Sequence, residues 1–136
     1  MSEHRFKGHV GIGPKVRGPA LVAGDGFSAR YDLDRLNGVF SRPAHGLYGQ
    51  SYVGCVLVLN TAKGGVATSW MLYEMKSRDM SPVALLLNTA NPVMAQGAAL
   101  ADVALVDRFD VDITEVIRTG DDVDVDPAEG LVIVRR

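Results

Sequence analysis

The chain is poor in the residues from which most metal and redox sites are built. Its 136 residues include a single cysteine, Cys55, and three scattered histidines, His4, His9 and His45. No intrachain disulfide is possible, and no thiolate or imidazole set for zinc or an iron–sulfur cluster can be assembled. Any such centre must be held mainly by a partner. Lysine is confined to Lys7, Lys15, Lys63 and Lys76, and 14 basic residues against 16 acidic ones leave a net charge of −2. That balance excludes the basic face of a nucleic-acid binder. No apolar run approaches the ~18 residues of a membrane span, and Met1-Ser-Glu-His-Arg-Phe-Lys7 lacks the apolar stretch of a secretory signal. The expectation is a cytoplasmic chain with neither membrane nor nucleic acid as a partner. The G-x-S-x-G, H-E-x-x-H and C-x-x-C signatures are missing, and lysine precedes the glycine pair at 64–65 where a phosphate-binding P-loop needs it after a glycine.

What is present suits one packed domain over residues 1–136: 47% of residues are hydrophobic and 22% charged, enough apolar surface for a core. Residues 4–23 read as two short strands around Gly11-Ile-Gly-Pro14, arranged as a hairpin or a barrel corner. This Gly-x-Gly is not a dinucleotide fingerprint, because the third glycine is missing and Pro14 blocks the helix that should follow. Residues 24–50 show no period and read as a long surface excursion with at most one strand; Arg42 and His45 there are candidates because long irregular segments are often functional. Cys55 lies in the apolar run Val53–Leu59 and is assigned to the core.

From residue 53 the pattern becomes strand (53–60), glycine loop, helix (about 67–78) and strand (83–88), a βαβ unit with parallel strands. Ala67, Trp70, Met71 and Met75 fall on one face of the helix and are assigned to the core, while Glu74 and Arg78 stand four apart in the favourable order. A second helix starts at Asn91-Pro92, with asparagine as N-cap and proline in the first turn. A strand follows at 103–106, then an acidic stretch, then a terminal hairpin from Val123-Asp-Val-Asp126 through Pro127-Ala-Glu-Gly130 to Leu131–Val134, its alternating aspartates on a solvated face. No internal repeat stands out.

The segment Asn60-Thr-Ala-Lys-Gly-Gly-Val-Ala-Thr-Ser-Trp-Met-Leu72 carries the chemistry. A strand running through two glycines into a helix start leaves free N–H groups, a favourable helix dipole and room for close approach, which together hold an anion. Lys63 adds charge, Gly64 and Gly65 give access, and Thr68 and Ser69 supply hydroxyls. The helix start at Asn91 lies at the same carboxyl edge of the sheet, where ligands of open α/β sheets bind. Substrate contacts are therefore assigned to Lys63, Gly64, Gly65, His45 and Asn91, and no metal ligand is assigned.

The order of Gly18-Pro-Ala-Leu-Val22, His45-Gly-Leu-Tyr-Gly-Gln-Ser51, Gly54-Cys-Val-Leu-Val58, the glycine loop with its helix to Leu72-Tyr-Glu74, and Asn91-Pro-Val-Met-Ala-Gln-Gly97 resembles the small, swivel-domain subunit of the aconitase X family. The resemblance spans nearly the whole chain. It implies an α/β fold of the swivelling β/β/α type, containing the βαβ unit and the terminal hairpin. It also implies one half of a hydro-lyase, with no cofactor on this chain, an iron or iron–sulfur centre on a large aconitase X subunit, and a small anionic hydroxy acid as substrate. A cis-3-hydroxy-L-proline-like acid is expected first and a mevalonate 5-phosphate-like acid next. The family commonly reads Gly-Arg-Gly-Ser at the loop, with the serine as proton acceptor; here Ala62-Lys-Gly-Gly65 places Gly65 at that position. The catalytic assignment therefore moves to Thr68 and Ser69, with a base supplied by the partner subunit or a different reaction as the alternatives. The alternative is a non-catalytic swivel or interaction module that binds an anion or regulates a partner. A phosphohistidine carrier, which shares the swivel architecture, is excluded because Trp70 stands where its histidine is needed.

Overall fold

In the computed structural model, residues 3–26, 32–62, 66–90 and 92–136 are described, with backbone alone at 66–69. The sequence pattern from residue 53 onward is realised with small shifts. Strand β1 is Glu3–Lys7, β2 Val16–Val22, β3 Leu33–Asp34, β4 Val39–Phe40 and β5 Val56–Thr61; helix α1 is Val66–Ser77; then come β6 Ala84–Thr89, α2 Pro92–Ala101, β7 Ala104–Asp107, α3 Ile113–Val116, β8 Asp122–Asp126 and β9 Leu131–Arg135. Seven strands form one sheet in the order β1-β9-β8-β2-β5-β6-β7. The half from β2 to β7 is parallel, and the half from β1 to β2 antiparallel.

The central strands β5 and β6 are covered on both faces. Val56, Leu57, Val58 and Leu59, like Ala84, Leu85, Leu86 and Leu87, have no exposed surface, which accounts for their unbroken apolar runs. One face packs Leu57, Leu59, Leu85 and Leu87 against Leu72 and Met75 of α1 and Met94 and Ala98 of α2. The other packs Val56, Val58, Ala84 and Leu86 with the inward valines of the hairpin, Val123, Val125, Val132 and Val134, and with Ile113 and Ile117.

Of the two arrangements read for residues 4–23, the corner is found. Strands β1 and β2 do not pair with each other; β1 lies on β9 and β2 on β5 and β8. The linker between them joins the two edges of the sheet. Gly8 N–H donates to the Gly130 carbonyl (2.8 Å) beside β9, while His9 N–H donates to Asp107 (3.0 Å) and Ile12 exchanges two backbone bonds with Leu105 (2.9 and 2.8 Å) on β7. The glycines of the discarded motif serve this contact. A Cβ on Gly11 would fall 2.0 Å from the Leu105 carbonyl oxygen, and Gly13 has φ +93°.

Three further sequence expectations are corrected. Residues 32–52 are not a simple surface excursion: β3 and β4 pair, and Phe40, His45, Leu47 and Tyr52 are buried around them. Trp70 is not core but 63% exposed, because the buried face of α1 is carried by Leu72 and Met75. Cys55 is only half-buried and precedes β5. The acidic stretch also contains α3, capped by Asp112, whose carboxylate accepts from Thr114 N–H. The hairpin aspartates behave as expected, pairing outward with Arg17 and Arg135; no described helix is long and apolar enough to cross a membrane.

Two outcomes follow from these contacts. Gly11→Ala should destabilise the chain by about 3 kcal/mol in denaturant unfolding, whereas Gly24→Ala, with nothing within 4 Å of its Cβ position, should change little. The hydrogen bond and charge of Arg17 hold the Asp122 carboxyl below its ordinary value, so its contribution is present above the ordinary carboxylate range and is lost as pH falls through the lowered value. In acid titrations of stability, Arg17→Met should flatten the decline below about pH 4.

Candidate functional site

Because β2, β5, β6 and β7 run parallel, their carboxyl ends meet at one edge and the chain leaves that edge four times. After β2, Ala23 N–H still pairs with the Val58 carbonyl (3.1 Å), and the Asp25 carbonyl accepts from Asn60 N–H (2.9 Å). At the end of β5, Asn60 and Thr61 lead through Ala62 toward α1. At the end of β6, Asn88 and Thr89 lead through Ala90 toward α2. At the end of β7, the Asp107 carboxylate accepts from Ala90 N–H (3.0 Å) and lies 3.5 Å from Arg108 Nε. Between the α2 start, the β7 end and the linker lies a cleft of about 340 Å³, lined by Ile12, Thr89, Pro92, Asp107 and Arg108 among others.

Four of the residues assigned from sequence, Lys63, Gly64, Gly65 and Asn91, lie outside the described residues. Thr68 and Ser69 belong to the start of α1, where backbone alone is described. The chain positions of these segments put both helix starts at the carboxyl edge, one directly after β5 and one after β6.

His45 is fully placed. Its side chain has no exposed surface and stacks on Phe40, ring centroids 4.6 Å apart. Nδ1 accepts from Leu47 N–H (3.0 Å), which obliges the proton of the neutral ring to sit on Nε2, and Nε2 donates to the Gly26 carbonyl (3.0 Å). The next residue repeats the grip, since Gly46 N–H donates to the Asp25 carboxylate (3.1 Å). Both ring nitrogens are occupied by backbone, so His45 braces the turn after β2 rather than presenting its ring to a ligand. Arg42, the other candidate of this region, donates from Nε to the buried Asp32 carboxylate (2.6 Å).

The group that sequence reasoning missed is a polar cluster on the opposite side of the edge from α1 and α2. Asn88 donates to Asn60 Oδ1 (3.0 Å) and to Asp112 Oδ1 (2.8 Å), and its own oxygen accepts from Ile113 N–H (2.9 Å). The Thr114 hydroxyl and Asn88 hold the Asp112 carboxyl below its ordinary value. A signal for this cluster was present: Leu59-Asn-Thr-Ala62 recurs as Leu87-Asn-Thr-Ala90, and the register sets Thr61 beside Thr89. It is a short internal repeat after all, too short to stand out without the pairing.

The family model described as the aconitase X swivel domain matches residues 5–134. The chain belongs to this family. Among proteins similar to it, the phosphomevalonate dehydratase small subunit of Methanocella arvoryzae is 33% identical over 94% of this chain and 97% of that protein. The small subunit of the same name from Methanothrix thermoacetophila is 36% identical over 95% and 93%. Among solved structures, the crystal structure of Thermococcus kodakaraensis aconitase X in its holo-form superposes with a TM-score of 0.90 at 28% identity, covering 98% of this chain and 99% of that one. The solution NMR structure of a UPF0107 protein gives 0.88 at 27% identity over 98% and 100%. The swivelling α/β fold expected from sequence is thereby established, and the carboxyl edge is the edge of an aconitase X swivel domain.

The buried bracing role of His45 has a measurable consequence. His45→Ala removes the stacking on Phe40 and leaves Leu47 N–H without its acceptor, so unfolding free energy should fall by about 2–4 kcal/mol, measured by urea denaturation.

Proposed function

We propose that this chain is the small subunit of an aconitase X-type dehydratase, and that with a larger subunit it completes a site for a small anionic hydroxy acid. The observation that carries this reading is the family match over residues 5–134. The names of the relatives, small subunits of a phosphomevalonate dehydratase, support it and favour a mevalonate 5-phosphate-like substrate. The order expected from sequence, with a cis-3-hydroxy-L-proline-like acid first, is reversed on that ground.

The single cysteine and the buried histidine are poorly suited to ligating an iron or iron–sulfur centre. Burial pushes the Cys55 thiol up, and its sulfur lies 3.7 Å from the carbonyls of Ser51 and Val53. Both ring nitrogens of His45 face backbone. Among the described residues, no three His, Cys, Asp or Glu side chains converge as ligands. The proposal therefore puts the metal centre on the large subunit and gives this chain the tasks of binding and orienting. In a dehydration, a C–H proton and a hydroxyl leave neighbouring carbons. Lys63 and the dipole at the start of α1 suit the anionic end of the acid. Thr68 and Ser69 are the hydroxyls proposed beside the departing proton, because Gly65 has no side chain to accept it.

The outer face of α1 supports a large partner. Trp70 and Tyr73 are 63% and 49% exposed and stand edge to face with centroids 6.3 Å apart. Both lie on α1, which follows residues 63–65 in the chain. Exposed aromatic anchors of this kind dominate the energy of protein interfaces. The absence of a serine at Gly65 favours a second reading, a non-catalytic module that binds an anion and regulates its partner.

Co-expression with an aconitase X large subunit, followed by dehydratase assays on mevalonate 5-phosphate and cis-3-hydroxy-L-proline, separates the two. Turnover lost in Lys63→Ala or Ser69→Ala complexes supports the catalytic reading; turnover unchanged in both supports the regulatory one, and no complex at all removes both. Trp70→Ala should weaken assembly about 30-fold, equivalent to about 2 kcal/mol, while leaving the melting temperature of the isolated chain unchanged.

A further inference from the structure

Hydrogen-bond chemistry determines which way the paired asparagines at the ends of β5 and β6 point. A backbone N–H only donates, so the contact from Ile113 N–H (2.9 Å) identifies the oxygen end of the Asn88 amide. The nitrogen end has two hydrogens, and both are used: one on the Asp112 carboxylate (2.8 Å), the other on Asn60 Oδ1 (3.0 Å). Asn88 is thus saturated. Asn60 must in turn present oxygen to Asn88, which commits its NH2 group to the opposite direction.

That NH2 group is exposed, and among the described residues it has no acceptor. The backbone around it is fixed, since Asn60 N–H donates to the Asp25 carbonyl (2.9 Å) and its strand pairs with β6. The alternation of β5 puts Asn60 on the same face as Val56 and Val58, at the carboxyl edge and three positions before Lys63. An amide held from behind through Asn88, Asp112 and Ile113 and offering its donors outward is suited to an oxygen anion.

We propose that Asn60 is a ligand-binding residue whose side-chain NH2 donates to a carboxylate or phosphate oxygen of the substrate, with Asn88 the positioning residue that fixes its orientation. The identity of the ligand rests on the dehydratase reading; the donor geometry does not. Asn60→Asp is the discriminating variant. It retains the oxygen that accepts from Asn88, and so the fold, but replaces the outward NH2 by a negatively charged oxygen.

In the assembled two-subunit enzyme, Asn60→Asp should raise the KM for the acid that is turned over by about tenfold or more, with a smaller change in kcat and an unchanged melting temperature. An Asn60→Asp KM within about twofold of the original would overturn the proposal. A second measurement does not depend on turnover. The Asn60 side-chain N–H signals of the full chain, followed by NMR, should move saturably on titration with inorganic phosphate or with acetate, and whichever anion moves them names the group bound. Signals unmoved by both anions overturn the proposal whatever the kinetics. If no acid is turned over, the dehydratase reading falls and the titration still decides the role of Asn60.

Discussion

The structure depends on the burial of β5 and β6 from both sides. Two adjacent strands whose eight central side chains are fully covered need one layer of helices and a second apolar layer opposite. Helices α1 and α2 supply the first, and α3 with the inner valines of the β8–β9 hairpin supplies the second. Parallel strands also cannot be joined by tight turns, so each must send a crossover across a face. Covered faces leave nowhere for a polar ligand except the ends of the strands. The carboxyl end is where β5 and β6 hand the chain on to α1 and α2, and the packing leaves that edge for a ligand.

Closure of the sheet is a backbone matter and leaves little trace in side-chain pattern. Residues 8–12 tie β9 to β7 through main-chain bonds, and the only sequence sign is a pair of glycines that any turn would also use. Gly11 is needed because a carbonyl of β7 occupies the space of its side chain. A glycine demanded by close approach and one demanded by a turn look alike in sequence, which is why the hairpin and the corner stayed open alternatives until the pairing partners were known.

Most of the βαβ core was legible, since unbroken runs such as Val56–Leu59 and Leu85–Leu87 arise only where both faces are covered. The helix was legible in extent but not in orientation. Trp70, Met71 and Met75 share a face in a helical projection, yet Met75 is buried and Trp70 exposed, because hydrophobicity alone does not separate a face meant for the core from one meant for a partner. His45 was noticed for its residue type, and its role in bracing the turn after β2 depends on Gly26 and Leu47, contacts that no local pattern encodes. The Asn60–Asn88 pair was readable in the repeated Leu-Asn-Thr-Ala, but its meaning depends on α3. Only the Ile113 N–H and the Asp112 carboxylate decide which end of each amide points outward.

The same edge shows two kinds of construction. Groups held from behind are of both kinds: the Asn60 amide, fixed through Asn88 and Asp112, offers a donor, while the Asp25 carboxylate and the Gly26 carbonyl accept from Gly46 and His45. At the loop position where the resemblance implies a serine as proton acceptor, this chain has Gly65. Preorganised donors stabilise negative charge without moving, whereas a base must change protonation in each cycle and must be tuned by its surroundings. A fixed donor at Asn60, with glycine at position 65, fits the proposal that the edge holds an anion in register for chemistry performed with help from outside the chain. The exposed Trp70–Tyr73 pair on the same helix is the surface proposed for docking that help.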